Sequence, residues 1–146
     1  IRELLHVQPS GRGTDLAGAL QFTRNVMKKR CVCFVLSDFL ADGFEAPLRV
    51  LARRHDCIGL HCWDLRERIL PDVGLLHIRD MESAAESWID ITDPDLRRKY
   101  LKRFDLHRTR MAEIFHRAGA DFLSVETTES YVNALLRFFE QRTRKK

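Results

Sequence analysis

Along this chain, apolar residues at helical spacing alternate with unbroken apolar runs. Leu16, Leu20, Val26 and Met27 fall at helical spacing, and Thr14 or Asp15 is placed to cap a helix running to about Lys29. Lys28, Lys29 and Arg30 close it with cations, where the helix dipole favours them. Cys31 to Leu36 is then continuously apolar, the mark of a strand covered on both faces, as in a parallel sheet. Phe44 to His55 returns to helical spacing, with Phe44, Leu48, Leu51 and Ala52 on one face. Asp56 to Trp63 is a second buried strand, ending at Asp64. Strand, helix and strand in that order predict parallel pairing through right-handed crossovers.

The flanking segments extend the pattern. Ile1 to Val7 reads as the end of a helix whose start is missing, and Gln8 to Gly13 as a loop of structure-breaking residues. After Leu70-Pro71-Asp72, the runs Val73 to Ile78 and Glu86 to Ile91 flank a turn-like Arg79 to Ala85 and predict a β-hairpin. Asp93 caps a long helix with Pro94 at its favoured first position, and Gly119 ends it. Leu96, Tyr100, Phe104, Met111, Ile114 and Phe115 share one broad face of that helix. Asp121 to Val125 is a last strand, and Thr128 caps a final helix reaching about Arg142. Residues 1–146 show no internal repeat and no second domain.

Composition narrows the class. The chain has 146 residues, 45% hydrophobic and 32% charged, which excludes a disordered chain and allows a real core. No apolar run approaches the roughly 20 residues of a membrane span and no signal-peptide pattern opens the chain, while the expected reduced thiols fit a cytoplasmic location. The first residue is Ile1, so the chain is expected to be part of a longer protein. The net charge is +4, densest at Arg142, Arg144, Lys145 and Lys146. That cluster is expected to be a solvated helix end rather than a nucleic-acid contact. Cys31 and Cys33 share a strand face, but Cys57 and Cys62 point to opposite faces, so a four-thiolate zinc shell fits badly and reduced, buried thiols are expected.

Ligands of a parallel sheet bind beyond the C-terminal ends of its strands, where this sequence places Ser37, Asp38 and Asp64. Thr14 adds a hydroxyl at a helix N-terminus after a glycine-rich loop. Carboxylate and hydroxyl together are hard-oxygen ligation, suited to Mg²⁺ or Mn²⁺. An enzymatic alternative is a Mg²⁺-dependent phosphohydrolase or nuclease using Asp38, Asp42 and Asp64. His55, Asp56 and Cys57 are adjacent in sequence and alternate in direction, so they read as structural positions rather than a catalytic set.

Gly13-Thr14-Asp15-Leu16 and the later Val35-Leu36-Ser37-Asp38-Phe39 resemble the second and third motifs of a von Willebrand factor A metal-ion-dependent adhesion site. More narrowly, the chain resembles the C-terminal region of the bacterial domain-of-unknown-function family fifty-eight. The likeness runs through Arg54-His55-Asp56, Asp64 with Glu67 and Leu70-Pro71, Asp80 with Glu82, Gly119 and Asp121, to Tyr131, Leu135, Phe138, Phe139 and Arg142.

This resemblance implies an α/β, three-layer, partial von Willebrand factor A-like (Rossmann-like) parallel sheet with an inserted β-hairpin, its N-terminal strands absent. The missing first strand would lie beside Cys31 to Leu36, leaving an apolar edge prone to self-association. The family's first metal motif, D-x-S-x-S, does not occur here, so Thr14 and Asp38 form a partial metal site at most. Mg or Mn is expected only in the intact domain. The implied function is a non-enzymatic protein-interaction module, with Ser37, Phe39, Asp64 and Glu67 toward the partner. A MoxR-type AAA+ ATPase is the expected partner, in complex assembly or a chaperone-like role.

Overall fold

The computed structural model describes residues 13–79 and 85–144. The expected helix from Ile1, most of the loop after it, and Asp80 with Glu82 lie outside the described residues. In chain order the elements are α1 (Leu16–Val26), β1 (Val32–Ser37), α2 (Glu45–Ala52), β2 (Asp56–Trp63), α3 (Leu65–Arg68), β3 (Leu75–Arg79), β4 (Glu86–Asp90), α4 (Pro94–Ala118), β5 (Asp121–Glu126) and α5 (Tyr131–Arg144).

Two of the apolar runs pair directly. β1 lies parallel to β2 with Cys33 beside Cys57, and β2 lies parallel to β5 with His61 beside Ser124. The order is therefore β1-β2-β5, with β2 in the centre. β3 and β4 form the expected hairpin as a separate antiparallel pair.

Strand alternation divides the side chains between two faces. On one face, Cys33, Val35, Cys57 and Phe122 meet Leu16 and Leu20 of α1, Leu48 and Leu51 of α2, and Met111 and Phe115 of α4, with Phe39 and Phe44 completing the core. Gly59 stands directly under Phe115: a Cβ there would lie 2.4 Å from Cε1 of the ring. The glycine lets a long helix approach the central strand closely.

On the other face only α5 is present among the described residues. Phe139 of α5 meets the edge of Phe34, with ring centroids 6.3 Å apart. Arg142 reaches across both strand starts, to Asp56 at 2.6 Å and Asp121 at 3.0 Å. Its guanidinium also lies over the Phe138 ring. The expectation of a free, solvated cation is thus corrected at Arg142, which fastens α5 to the sheet.

The expectation that β1 is covered on both faces is corrected too. Val32, Phe34 and Leu36 stay 53%, 45% and 63% exposed on the edge strand, although Phe139 of α5 reaches Phe34. Helix ends shift by a few residues. Asp15, not Thr14, accepts the capping N–H of Gly18 at 2.7 Å. α1 stops at Val26, and α2 spans Glu45–Ala52, so His55 lies beyond the helix. Ser130 rather than Thr128 receives the Asn133 N–H at the start of α5. Asp93 and Gly119 end α4 as expected, the latter with φ 77°.

Candidate functional site

The C-terminal ends of β1 and β2 open beside α4 into a hollow of about 260 Å³. Its lining includes Asp38 and Glu67 against Arg103 and His107, with His61 at the floor and Tyr100 at the side. Asp38 and Glu67 thus share one concavity, as their positions after consecutive strands predict. His61, Tyr100, Arg103 and His107 belong to it as well. No motif announces them, because they reach the hollow from mid-strand and mid-helix.

The turn that presents Asp38 is tightly specified. Asp38 Oδ1 accepts the Leu40 N–H at 3.1 Å, and Ser37 Oγ accepts the Phe39 N–H at 3.0 Å. These are local side-chain-to-backbone bonds that replace strand pairing. His107 Nε2 approaches the Asp38 carbonyl at 3.1 Å, tying the turn to α4. Phe39 has φ 55°, the left-handed region a bulky residue rarely adopts. Its ring is 1% exposed and packs 5.0 Å from Phe115, centroid to centroid. The expectation of Phe39 as a partner-facing side chain is corrected: it is a core anchor, and its burial holds the strained turn.

Asp64 and Glu67, also expected to face a partner, make a capping box at α3. Asp64 accepts the Arg66 N–H at 2.9 Å, and Glu67 Oε1 accepts the Asp64 N–H at 2.8 Å. Their first task is to satisfy orphan donors of a one-turn helix. Thr127, after β5, also donates to Asp64 at 3.3 Å. Thr14 is exposed before α1, and Asp42 is exposed in the loop before α2.

His61 Nδ1 lies 3.0 Å from Ser124 Oγ. The spacing matches a serine–imidazole relay, but among the described residues no carboxylate bonds the ring to orient it. The imidazole is 1% exposed, stacked on Phe122 with Phe104 tilted against it. Burial, with His107 nearby, pushes its pKa down to about 4, so it is neutral at pH 7. It is a cross-strand tie between β2 and β5.

The described residues alone do not make a complete site for a hard divalent ion. Mg²⁺ prefers about six oxygen ligands. Asp38 supplies one carboxylate, already engaged with Leu40, and Asp38, Asp42 and Asp64 do not gather their oxygens within 4.8 Å. Among the described residues, the one group of three metal-capable side chains is Cys31, Cys33 and His55, at the opposite end of the sheet. All four cysteines are free. Burial pushes the Cys33 thiol up to about 11 and the Cys57 thiol up to about 12.

A second hollow, of about 540 Å³, lies between the β3–β4 hairpin and the start of α4, walled by Leu76, Ile78, Ile89, Ile91 and Leu96. Arg97 holds its rim, donating to the Leu70 and Pro71 carbonyls and pairing with Asp72 at 3.0 Å. No described helix is long and apolar enough to cross a membrane.

Uncharacterized protein Rv1480 of Mycobacterium tuberculosis is 33% identical over 137 residues, covering 93% of this chain and 43% of that protein. Uncharacterized protein Mb1516 of Mycobacterium bovis matches to the same extent. Uncharacterized protein MAV169 of Mycobacterium avium is 30% identical, over 93% of this chain and 80% of its own length. The chain therefore spans less than half the length of the first two relatives. No solved structure gives a significant match. The family model described as "Protein of unknown function DUF58" matches residues 1–110, and the chain belongs to that family.

Proposed function

We propose that this chain is a cytoplasmic, non-enzymatic protein-docking domain of the von Willebrand factor A type. Its partner in this reading is a MoxR-type AAA+ ATPase, in complex assembly or a chaperone-like role. One observation supports it above the rest: an exposed Asp38 stands on a turn held in a strained conformation by the buried Phe39. A bulky residue at positive φ costs about 1–3 kcal/mol and persists only where its surroundings impose it, commonly at binding sites. Here the strain fixes a carboxylate at the lip of the sheet, beside the Glu67 and His107 hollow. Thr14 and Asp38 are then part of a docking point whose remaining oxygen ligands come from a D-x-S-x-S segment of the longer protein.

The phosphohydrolase alternative finds less support, because Asp38, Asp42 and Asp64 do not converge and Asp64 is committed to the α3 cap. The test is surface plasmon resonance of the full-length protein against a purified MoxR-type ATPase, with Mg²⁺ and with chelator. The reading expects Mg²⁺-dependent binding that falls at least ~10-fold in Asp38→Ala, a loss of about 1.4 kcal/mol. Binding indifferent to Asp38 would sink it. Phosphoester turnover that disappears in Asp38→Asn would replace it with the hydrolase reading.

A further inference from the structure

Cys31, Cys33 and His55 meet at the N-terminal ends of β1 and β2, away from the Asp38 lip. The sulfurs of Cys31 and Cys33 are 3.5 Å apart, and His55 Nδ1 is 3.3 Å from the Cys31 sulfur. All three ligand atoms lie within 4.8 Å of one another. Zinc bonds of about 2.3 Å to sulfur and about 2.0–2.1 Å to nitrogen give tetrahedral edges of roughly 3.8 Å between sulfurs and roughly 3.5 Å from sulfur to nitrogen. The Cys31–Cys33 and Cys31–His55 separations are a few tenths of an ångström inside those edges, and the third lies within 4.8 Å. Small side-chain rotations therefore open the triangle to an ion.

His55 is placed to contribute through Nδ1. It is 3% exposed, its Nδ1 faces sulfur, and its Nε2 has no hydrogen-bond partner. A metal bond at Nδ1 would take the place of the contact to sulfur and fix the tautomer with the proton on Nε2. The frame is also rigid. The Asp56 N–H donates to the Cys31 carbonyl at 2.9 Å, and the His55 N–H to the Leu51 carbonyl at 3.0 Å. The two segments carrying the ligands are therefore joined by backbone.

We propose that Cys31, Cys33 and His55 form a binding site for one thiophilic divalent ion of the zinc class, with its fourth position open to solvent. Two thiolates and an imidazole are soft ligands, and they disfavour Mg²⁺, Mn²⁺ and Ca²⁺. The fourth position is open because Cys31 and Cys33 are only partly buried. Binding releases two protons, one from each thiol, and involves no oxidation. The site is independent of the docking reading: it shares none of its residues and lies at the other end of the strands.

The test titrates reduced, metal-stripped full-length protein with Co²⁺, then with Zn²⁺ against a chromophoric chelator. The expected result is one equivalent bound, with sulfur-to-cobalt charge transfer and the intense visible bands of a tetrahedral ion. That spectrum is read on the unaltered protein, so it stands even where a variant fails to fold. Zn²⁺ affinity should fall more than ~100-fold in Cys31→Ser, Cys33→Ser and His55→Gln, since loss of an outer-shell partner alone costs ~10–100-fold. Cys62→Ser, exposed on the opposite face of β2, should leave it unchanged. A Co²⁺ spectrum like that of the hydrated ion, or equal affinity in the three ligand variants, would overturn the proposal.

Discussion

Replacing Gly59 by alanine adds a single methyl group, and the structure places that methyl inside Phe115. The added Cβ would lie 2.4, 2.5 and 2.9 Å from three ring carbons. Ordinary carbon–carbon contact begins near 3.5 Å, so the closest overlap is roughly 1 Å. The ring has nowhere to go: Phe39, Phe44 and Phe122 lie 5.0, 6.3 and 5.4 Å from its centroid. Overpacking of this kind costs about 1–3 kcal/mol, and an overlap this large belongs at the upper end. Against it, removing a glycine from a strand stabilises by roughly 0.5–1 kcal/mol through the unfolded chain. The net expectation for Gly59→Ala is a loss of about 2 kcal/mol. Urea unfolding followed by circular dichroism reads this as a lower midpoint with an unchanged slope. Phe115→Leu, which removes the ring atoms at issue, is destabilising alone but should recover much of the loss in the double variant, a non-additivity of at least ~1 kcal/mol. Gly59→Ala as stable as the parent, or strictly additive with Phe115→Leu, would refute the close approach of α4 to β2.

Three further outcomes follow from the same packing. Arg142→Ala should cost about 1–2 kcal/mol, because it leaves Asp56 and Asp121 facing each other at the strand starts, and Arg142→Lys should recover only part, lacking the fork that reaches both; urea midpoints of the two variants decide this. His61 has its pKa lowered from 6.5 to about 4, so the unfolded chain takes up this proton first as pH falls. The stability from keeping it neutral is complete above pH 6.5 and is lost toward pH 4, at most about 3 kcal/mol; His61→Gln should flatten the stability profile across that window, and an unchanged slope would contradict the assignment. Leu36→Lys, at a side chain 63% exposed on the β1 edge, should suppress self-association measured by light scattering at high concentration without lowering the melting temperature; a clean monomer in the parent chain would remove the premise.

Element type and order were legible because periodicity is local. The alternation of helical spacing with the runs at Cys31 to Leu36 and Asp56 to Trp63 is enough to predict β1, β2 and their parallel pairing. Asp93, Pro94 and Gly119 mark both ends of α4, since caps and left-handed termini depend on neighbours a few residues away. The hairpin boundaries came within two residues for a similar reason. The lip of the sheet was legible at Asp38 and Glu67, because residues following consecutive parallel strands fall at the same end.

What each side chain meets there is a different kind of information. Asp64 and Glu67 look like free carboxylates in the sequence, yet they cap α3, and a cap is recognised only once a four-residue helix is known to exist. Phe39 follows a motif residue and looks presentable, but a positive φ turns its ring into the core. His55 sits 24 residues from Cys31, and nothing local links them; the β1–β2 register brings them to 3.3 Å. Arg142 meets Asp56 across 86 residues, because α5 folds back over the sheet. Contacts between distant segments depend on register, crossing angle and which face a helix covers. Those are properties of the assembled sheet, and residue spacing along a single segment does not encode them.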